Sequence, residues 1–209
     1  MKSFVFNGQE YKYFKHDYHN TRENERTVEI PIFLDILKSH KNQSILEVGN
    51  VLQHYGCRVK HDIVDLGEVA KGVTNQDIRT FKSDKKYDLI VSISTFEHID
   101  EFSNGTEQSM LDAFSNIRNL LAKDGTIWMS FPLSTNLYLD DLLRNKKLGT
   151  KEEYFMLKDT INESMNIWMQ VQDPVYERYR PPSMMLGFSK AGQVMISLLK
   201  IKCLAIIRI

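Results

Sequence analysis

The sequence is short of cysteine and glycine and carries no net charge. Its two cysteines, Cys57 and Cys203, form no CxxC pair and have no histidine spacing suited to zinc, so we expect reduced thiols and no metal site. Lys and Arg total 27, as do Asp and Glu, which argues against the basic surface of a nucleic-acid-binding protein. We therefore expect no nucleic-acid partner.

Long hydrophobic runs are also missing. Residues 1–10 contain no apolar segment like that of a signal peptide, and charged residues interrupt the apolar stretches near 193–209. Those stretches are too short to cross a bilayer. The expectation is a soluble, cytoplasmic protein without a membrane partner, in which an exposed apolar tail would favour a homodimer.

The sequence does contain an alternation of two hydrophobic periods. An apolar face at helical spacing predicts a helix over 29–39, with Pro31 tolerated in its first turn. A second such face predicts a helix over 106–121, ended by Gly125 in the left-handed conformation. Short apolar segments rich in β-branched residues predict strands over 44–49, 61–66, 72–78, 87–94 and 126–131.

This alternation predicts an α/β fold with a doubly wound, mostly parallel, Rossmann-like sheet and helices on both faces. Residues 51–60 leave room for about two helical turns, and the crossover after Asp65 is shorter still, so we expect shortened crossover helices. We predict one domain in three parts: a lid and helix over 1–43, a ligand-binding core over 44–132, and an insertion of short helices and loops with closing strands over 133–209.

Ligands of open α/β sheets bind at the carboxyl ends of the strands. The first strand ends at Glu47, Gly49 and Asn50, where glycine lets a ligand approach the backbone and Asn50 tolerates a left-handed conformation. The second ends at Asp65, whose carboxylate can accept hydrogen bonds from both hydroxyls of a ribose. These positions predict a nucleoside site at one edge of the sheet.

Two further strand ends extend this prediction. Asp77 and Ile78 end the third strand, where a carboxylate suits the exocyclic amine of adenine and an aliphatic side chain suits its ring face. Ser94 and His98 lie at the end of the fourth strand. His98 is interpreted either as a general base beside the reacting group or as a histidine that forms a local hydrogen bond at a helix start.

Four segments, in order, resemble the motifs of class I S-adenosylmethionine-dependent methyltransferases. They are Ile-Leu-Glu-Val-Gly at 45–49, Ile-Val-Asp-Leu at 63–66, Lys-Tyr-Asp-Leu-Ile-Val at 86–91 with Thr-Phe-Glu-His-Ile at 95–99, and Leu-Leu-Ala-Lys-Asp-Gly-Thr at 120–126. The resemblance covers residues 44–132. It departs from the family in the glycine loop, where Gly49 stands alone in place of several glycines.

The resemblance implies an enzyme that binds S-adenosylmethionine and releases S-adenosylhomocysteine. In such an enzyme Glu47 orients the glycine loop. Arg26 is interpreted either as a partner of the cofactor's carboxylate or as a solvated arginine at a helix end. The cofactor-binding residues implied in this way are Arg26, Glu47, Gly49, Asn50, Asp65, Leu66, Asp77, Ile78 and Ser94, with His98 as the catalytic residue.

The implied reaction is methyl transfer to an oxygen or nitrogen atom of a small molecule, such as a sugar or a related metabolite. Segments after the fifth strand build the acceptor pocket in the resembling family. The aromatic residues expected to supply its walls are Tyr138, Tyr154, Phe155, Trp168 and Tyr176.

Two other functions stay open at this point. A chain with a depleted glycine loop and clipped helices also suits a catalytically inactive binding or scaffolding module of the same fold. A nicotinamide-dependent oxidoreductase would need a G-x-G-x-x-G turn after a strand, and the sequence contains no such run.

Overall fold

The computed structural model describes residues 3–22, 24–57, 60–100, 106–159, 167–174 and 203–209. The strands of these residues are β1 (Ser3–Phe6), β2 (Gln9–Lys12), β3 (Ile45–Val48), β4 (Asp62–Asp65), β5 (Val73–Asn75), β6 (Tyr87–Ile93), β7 (Leu121–Pro132), β8 (Glu152–Lys158), β9 (Trp168–Val171) and β10 (Cys203–Arg208). The helices are α1 (Arg26–Ser39), α2 (Glu107–Leu120) and α3 (Leu137–Arg144).

One sheet of eight strands forms the centre of the molecule, in the order β5-β4-β3-β6-β7-β10-β8-β9. The strands from β5 to β7 run parallel to one another. In contrast, β10 runs antiparallel to β7 and to β8, and β9 runs antiparallel to β8. Because the chain winds outward from β3 to β5 and then returns through β6 and β7, the strand order reverses between β3 and β6. The predicted doubly wound, mostly parallel α/β sheet is confirmed.

Alternate strand residues point to two hydrophobic cores, one on each face of the sheet. On one face, Leu46 packs in a cluster with Phe114 of α2 and Leu139 of α3. On the other face, Ile45 belongs to a cluster with Phe33 of α1. The helices therefore cover both faces, as the sequence predicts.

The shortened crossovers are also confirmed. Between β3 and β4 the described residues form only a 3-10 turn, Leu52–Tyr55, which ends at Gly56 in the left-handed conformation. Residues 66–72, all of them described by the structure, contain no helix. As a result, the β3-to-β4 and β4-to-β5 connections lack the long helix that usually covers a parallel pair.

Helix α1 begins three residues before the predicted start, at Arg26. Pro31 therefore lies beyond the first turn, where its missing N–H leaves the carbonyl of Thr27 without its helical donor. The backbone N–H of Phe14 donates to that carbonyl at 2.9 Å, and the hydroxyl of Thr27 donates back to the carbonyl of Phe14 at 2.8 Å. The N-terminal segment thus satisfies the group that proline leaves free.

The prediction for Gly125 is wrong. Helix α2 ends at Leu120 and the chain turns directly into β7, with Leu121 extended at φ −68° and ψ 144°. Gly125 is not among the residues with positive φ. A Cβ atom at this position would lie 2.7 Å from the carbonyl oxygen of Tyr87, so glycine is needed for close contact at the register shift between β6 and β7.

The interpretation of residues 133–182 as short helices and loops is wrong in part. Helix α3 is short, as expected, but β8 and β9 lie in this stretch and join the central sheet. Of the apolar tail, residues 203–209 are described, and they contain β10, which fills the place between β7 and β8. Residues 193–202 lie outside the described residues.

Candidate functional site

A cleft of about 410 Å³ lies at the carboxyl ends of β3 and β6, where the strand order reverses. This is the place at which open α/β sheets bind their ligands. The structure brings four of the predicted site residues together in its lining, namely Arg26, Asn50, Ser94 and His98. We call it the carboxyl-end cleft.

Glu47 fixes the loop at the base of this cleft. Its fully buried carboxylate accepts hydrogen bonds from the backbone N–H groups of Val51 at 3.0 Å and Leu52 at 2.9 Å. The other carboxylate oxygen lies 2.7 Å from Nε2 of His61. Glu47 therefore determines the backbone geometry after Gly49, and any effect on a ligand is transmitted through that loop.

Gly49 is required by space as well as by conformation. Its φ is +90°, a value that residues with a side chain rarely adopt. A Cβ atom here would lie 2.2 Å from Oγ1 of Thr95, which follows β6. The loop after β3 and the turn after β6 therefore touch at this glycine, and their contact sets the width of the cleft between them.

Asn50 presents a buried polar side chain to the cleft. Its backbone N–H donates to Oδ2 of Asp65 at 2.8 Å, which holds the loop in place. Its side chain is 5% exposed, and neither the amide nitrogen nor the amide oxygen has a hydrogen-bond partner among the described residues. A buried amide without partners costs about 1–3 kcal/mol, which a polar ligand in the cleft would offset.

A buried network joins α1 to the ends of β6 and β7. The carboxylate of Glu29, which is 0% exposed, accepts hydrogen bonds from the hydroxyls of Ser94 and Ser130, both at 2.6 Å. The guanidinium of Arg26 donates to Glu29 at 3.0 Å and to the carbonyl of Ile93 at 2.8 Å. Burial raises the pKa of Glu29 while the charge of Arg26 lowers it. Ser94 and Arg26 are thus held rigidly at the cleft.

Glu97 places a second buried carboxyl group in the cleft lining. Glu97 is 4% exposed, and its Oε2 atom has no hydrogen-bond partner among the described residues. Burial raises the pKa of Glu97 to about 8, so the group is largely protonated at neutral pH. Nε2 of the half-exposed His98 lies 3.8 Å from its other oxygen. Both predicted roles of His98 are compatible with this position.

Aromatic and imidazole rings form the outer wall of the cleft. The rings of Tyr18 and His54 stack with their centroids 4.7 Å apart and 4° between their planes. His54 is held from the other side by Glu68, at 2.9 Å. The N-terminal segment that carries Tyr18 therefore lies against the loop after β3, beside the cleft that the predicted lid would cover.

The ribose end of the predicted site is partly occupied by the protein itself. The carboxylate of Asp65 accepts three backbone hydrogen bonds, from Asn50, Gly67 and Glu68, at 2.8 to 2.9 Å. A carboxylate has about four acceptor sites, so one remains for a ligand hydroxyl. Leu66 is 64% exposed, and Nδ2 of Asn75 donates to its carbonyl at 2.7 Å.

The predicted adenine residues lie away from the cleft. Asp77 accepts from the guanidinium of Arg79 at 2.8 and 2.5 Å, and the hydrogen bond from Arg79 is the main cause that lowers its pKa. Ile78 is 7% exposed and belongs to the core beneath α2. Asp77 lines a separate groove with Asn116, so an adenine ring would have to compete with Arg79 for this carboxylate.

The aromatic residues expected to line an acceptor pocket are dispersed. Phe155 and Trp168 are core residues of β8 and β9, at 4% and 3% exposure, and Tyr154 stacks on Trp128 with 6.3 Å between ring centroids. Tyr138 is exposed on α3, and Tyr176 lies outside the described residues. The expectation that these residues form an aromatic wall of the acceptor pocket is wrong for Phe155 and Trp168, which are buried in the core.

Two buried carboxyl groups of the site escaped the sequence reasoning. Glu29 lies between the apolar residues Val28 and Ile30 in the sequence of α1. A charged residue within such an apolar stretch is the signal that could have pointed to it. Glu97 stands in a recognised motif, but only the structure shows that its side chain is buried. Among the described residues no group of three or more His, Cys, Asp or Glu side chains is arranged to hold a metal ion. No helix within those residues has the length and apolarity needed to cross a membrane.

No protein-family model and no curated protein match this sequence. Solved structures to which the chain is similar include a S-adenosylmethionine-dependent methyltransferase from Clostridium acetobutylicum, at 15% identity and TM-score 0.38, with 48% of each chain covered. Another is the N-methyltransferase NodS from Bradyrhizobium japonicum, at 14% identity and TM-score 0.47, with 88% of this chain and 94% of that chain covered.

A third is CalS10, an amino pentose methyltransferase from Micromonospora echinaspora, at 20% identity and TM-score 0.35, with 48% of each chain covered. The chain thus spans about half the length of the first and third of these structures. At such identities the likeness concerns the general arrangement of the sheet, and it says nothing about what this chain binds.

Proposed function

We propose that this chain is a S-adenosylmethionine-dependent methyltransferase that acts on an oxygen or nitrogen atom of a small molecule. The observation that carries the proposal is the unpartnered amide of Asn50 beside Arg26 and Glu97, in a cleft at the reversal of strand order. Buried polar groups are nearly always hydrogen-bonded in proteins, so these groups call for a polar ligand.

The residues present fit the amino-acid end of S-adenosylmethionine. Three hydrogen bonds to Glu29, Ile93 and Ser94 use three of the five N–H donors of Arg26. The remaining donors suit the ligand carboxylate, and the amide of Asn50 and the Oε2 atom of Glu97 suit its ammonium group. At the ribose end, Asp65 has one acceptor site left, whereas the two hydroxyls of a ribose need two. The chain therefore fits the ribose less well than the amino-acid end.

In this proposal the cofactor supplies a methyl group on a sulfonium, and the chain supplies position and a proton acceptor. The rigid Arg26–Glu29–Ser94 network holds the amino-acid end in one orientation, which in-line transfer requires. His98, half exposed at the cleft, takes the proton that the acceptor atom loses. The acceptor enters from the side of the cleft lined by Tyr18 and His54.

The test is calorimetric titration of S-adenosylhomocysteine into wild type, Asn50→Leu and Asp65→Ala. Asn50→Leu removes two unpartnered polar atoms, so we expect unfolding stability to rise by about 1–2 kcal/mol while ligand affinity falls at least about tenfold. Asp65→Ala weakens binding by about 1–3 kcal/mol because a hydrogen-bonding partner is lost.

Asn116→Leu is the matched control. Its amide donates to the carbonyls of Ile78 and Phe81, at 2.6 and 2.8 Å. Asn116 lines the separate groove that also contains Asp77, away from the carboxyl-end cleft. This variant should lose stability and keep its affinity for the ligand. Wild-type binding that Asn50→Leu leaves unchanged would contradict the assignment of the cleft.

A catalytically inactive module of the same fold is the second candidate. It is favoured by the three backbone hydrogen bonds on Asp65 and by the pairing of Asp77 with Arg79, which leave little for a nucleoside. No heat of binding with millimolar S-adenosylmethionine or S-adenosylhomocysteine would decide for this candidate and against the methyltransferase.

A further inference from the structure

Within the part of the chain that the structure describes, the short crossover after β3 leaves part of a sheet face uncovered. In parallel sheets a crossover helix normally packs over the strands that it connects. Here the regular structure among the described residues of the connection is the turn Leu52–Tyr55. A groove of about 380 Å³ opens between α1 and the amino ends of β3 and β4. It lies at the opposite end of β3 from the carboxyl-end cleft, and we call it the amino-end groove.

The floor of this groove is apolar. Leu34 and Leu37 of α1 are only half-buried, and they line the groove with Ile45 of β3 and Leu52 of the turn. Leu34 and Leu37 therefore keep apolar surface in contact with water, whereas Ile45 and Leu52 are themselves buried. A hydrophobic ligand body that covers Leu34 and Leu37 gains about 25 cal/mol for each Å² of apolar surface removed from water.

The rim of the groove is basic. Lys38, Lys41, Lys60 and Lys85 all line it, in a protein whose formal net charge is zero. Lys85 pairs with Asp62 at 2.8 Å, and Asp62 is the single carboxylate among the described residues of the lining. Lys38, Lys41 and Lys60 have no ion-pair partner within the part of the chain that the structure describes.

We propose that the amino-end groove binds a free anionic amphiphile, a molecule with an apolar body and a carboxylate or phosphate head. The apolar floor takes the body, and Lys38, Lys41 and Lys60 face the head. A second copy of the chain fits less well, because a two-fold contact through this groove would bring the same lysines of both copies together. The proposal is independent of the methyltransferase activity.

Cys57 provides a reporter inside the groove. Its thiol is half-buried in the groove lining, whereas Cys203 is buried in the core and serves as the internal reference. Burial, and then the charge of Glu47, raise the pKa of the Cys57 thiol, so labelling is run at mildly alkaline pH. We would follow alkylation of each cysteine by uncharged N-ethylmaleimide with mass spectrometry, in the presence of increasing decanoate.

Decanoate is expected to slow labelling of Cys57 in a saturable manner, by about tenfold at saturation, and to leave Cys203 unchanged. Decanol, which has the same chain without the charge, should protect much less. The double variant Lys38→Gln, Lys41→Gln should weaken the apparent affinity by about tenfold, within the range for exposed ion pairs. Titration calorimetry of decanoate into both proteins gives the same comparison without the reporter.

The control variant is Lys123→Gln with Lys151→Gln, two exposed lysines outside the groove lining. It should bind decanoate like wild type. The proposal is overturned if decanoate neither protects Cys57 nor gives a heat of binding, if decanol protects equally, or if the groove variant binds like the control. Protection that rises with protein concentration alone would identify a second copy as the occupant instead. S-adenosylhomocysteine titrations of the same variants show separately whether the carboxyl-end cleft is functional.

Discussion

The two ends of β3 carry sites of opposite character. At the carboxyl end, the side-chain amide of Asn50 and the Oε2 atom of Glu97 are buried without a hydrogen-bond partner among the described residues. At the amino end, an apolar floor lies open beneath exposed lysine side chains. Buried polar groups cost stability until a ligand pairs with them, whereas solvated lysines cost almost nothing. The comparison teaches that substitutions in the cleft should change stability strongly, and substitutions at the groove weakly.

The largest effect is expected at Glu29. Glu29→Ala leaves the partly buried guanidinium of Arg26 without its carboxylate and removes the acceptor of two serine hydroxyls. We expect a loss of about 3–5 kcal/mol in the free energy of unfolding, measured by urea denaturation. Asp35→Ala is the control on the same helix, where the carboxylate accepts from Tyr11 at 3.1 Å, and it should cost about 1 kcal/mol. Equal losses of unfolding free energy in the two variants would contradict the view that buried polar groups at the cleft dominate stability.

Glu97 should make stability depend on pH. Burial raises its pKa from 4.5 to about 8. The folded state therefore keeps a proton that the unfolded state releases. The contribution of protonated Glu97 to the free energy of unfolding is complete at low pH and is lost as the pH rises from about 4.5 to about 8. Between about pH 5 and about pH 9, the free energy of unfolding of wild type should fall by on the order of 3 kcal/mol more than that of Glu97→Gln. Parallel stability curves for the two proteins would show that Glu97 is solvated.

Gly49 tests how tightly the cleft is built. Gly49→Ala adds a Cβ atom 2.2 Å from Oγ1 of Thr95 at a φ of +90°, so we expect a loss of about 2–3 kcal/mol. Gly67→Ala is the control, because its nearest neighbour would be 3.7 Å away, and it should be nearly neutral. Thermal unfolding measures both. A neutral Gly49→Ala would mean that the loop and the Thr95 turn can separate freely.

The smallest effect is expected at the groove. The hydrogen bond from Lys85 is the main cause that lowers the pKa of Asp62, but both side chains are exposed to solvent. Asp62→Asn should cost less than about 1 kcal/mol near neutral pH. Because the pKa is lowered on folding, this contribution should also vanish in wild type as the carboxylate is protonated at acid pH. Urea denaturation that gives a loss of about 3 kcal/mol would show that the groove is as strongly coupled as the cleft.

The parallel half of the fold was predictable because its signals are local. The strands β3, β4 and β6 are short apolar segments that end at polar or glycine residues, and this is visible in a few consecutive positions. The strands β8 and β9 were missed for a physical reason. Strand β8, Glu-Glu-Tyr-Phe-Met-Leu-Lys, is only partly buried, and its partner β10 follows several dozen residues later in the chain. Nothing local marks such a pairing.

The site was predictable where strand ends alone determine it. Asn50, Ser94 and His98 follow parallel strands that share a carboxyl edge, and they meet in one cleft. Arg26, at the start of α1, joins them there, although only the resemblance implied it. What sequence reasoning lacked was the competition within the protein for the same polar atoms. Asp65 ends β4, whereas Asp77 lies two residues after the end of β5 and pairs with Arg79. Whether an acidic group is available to a ligand depends on such partners, which only the folded chain brings together.

The position of β10 has a consequence for the synthesis of the chain. Because β10 separates β7 from β8 in the sheet, β8 and β9 can join only after Cys203–Arg208 has left the ribosome. Translation adds about 5–20 residues per second, so the edge of β7 stays unpaired for several seconds. An open edge strand of this kind is a template for another chain. Losses through aggregation are therefore expected while the protein is being made, and slower translation through the segment before β10 should increase them.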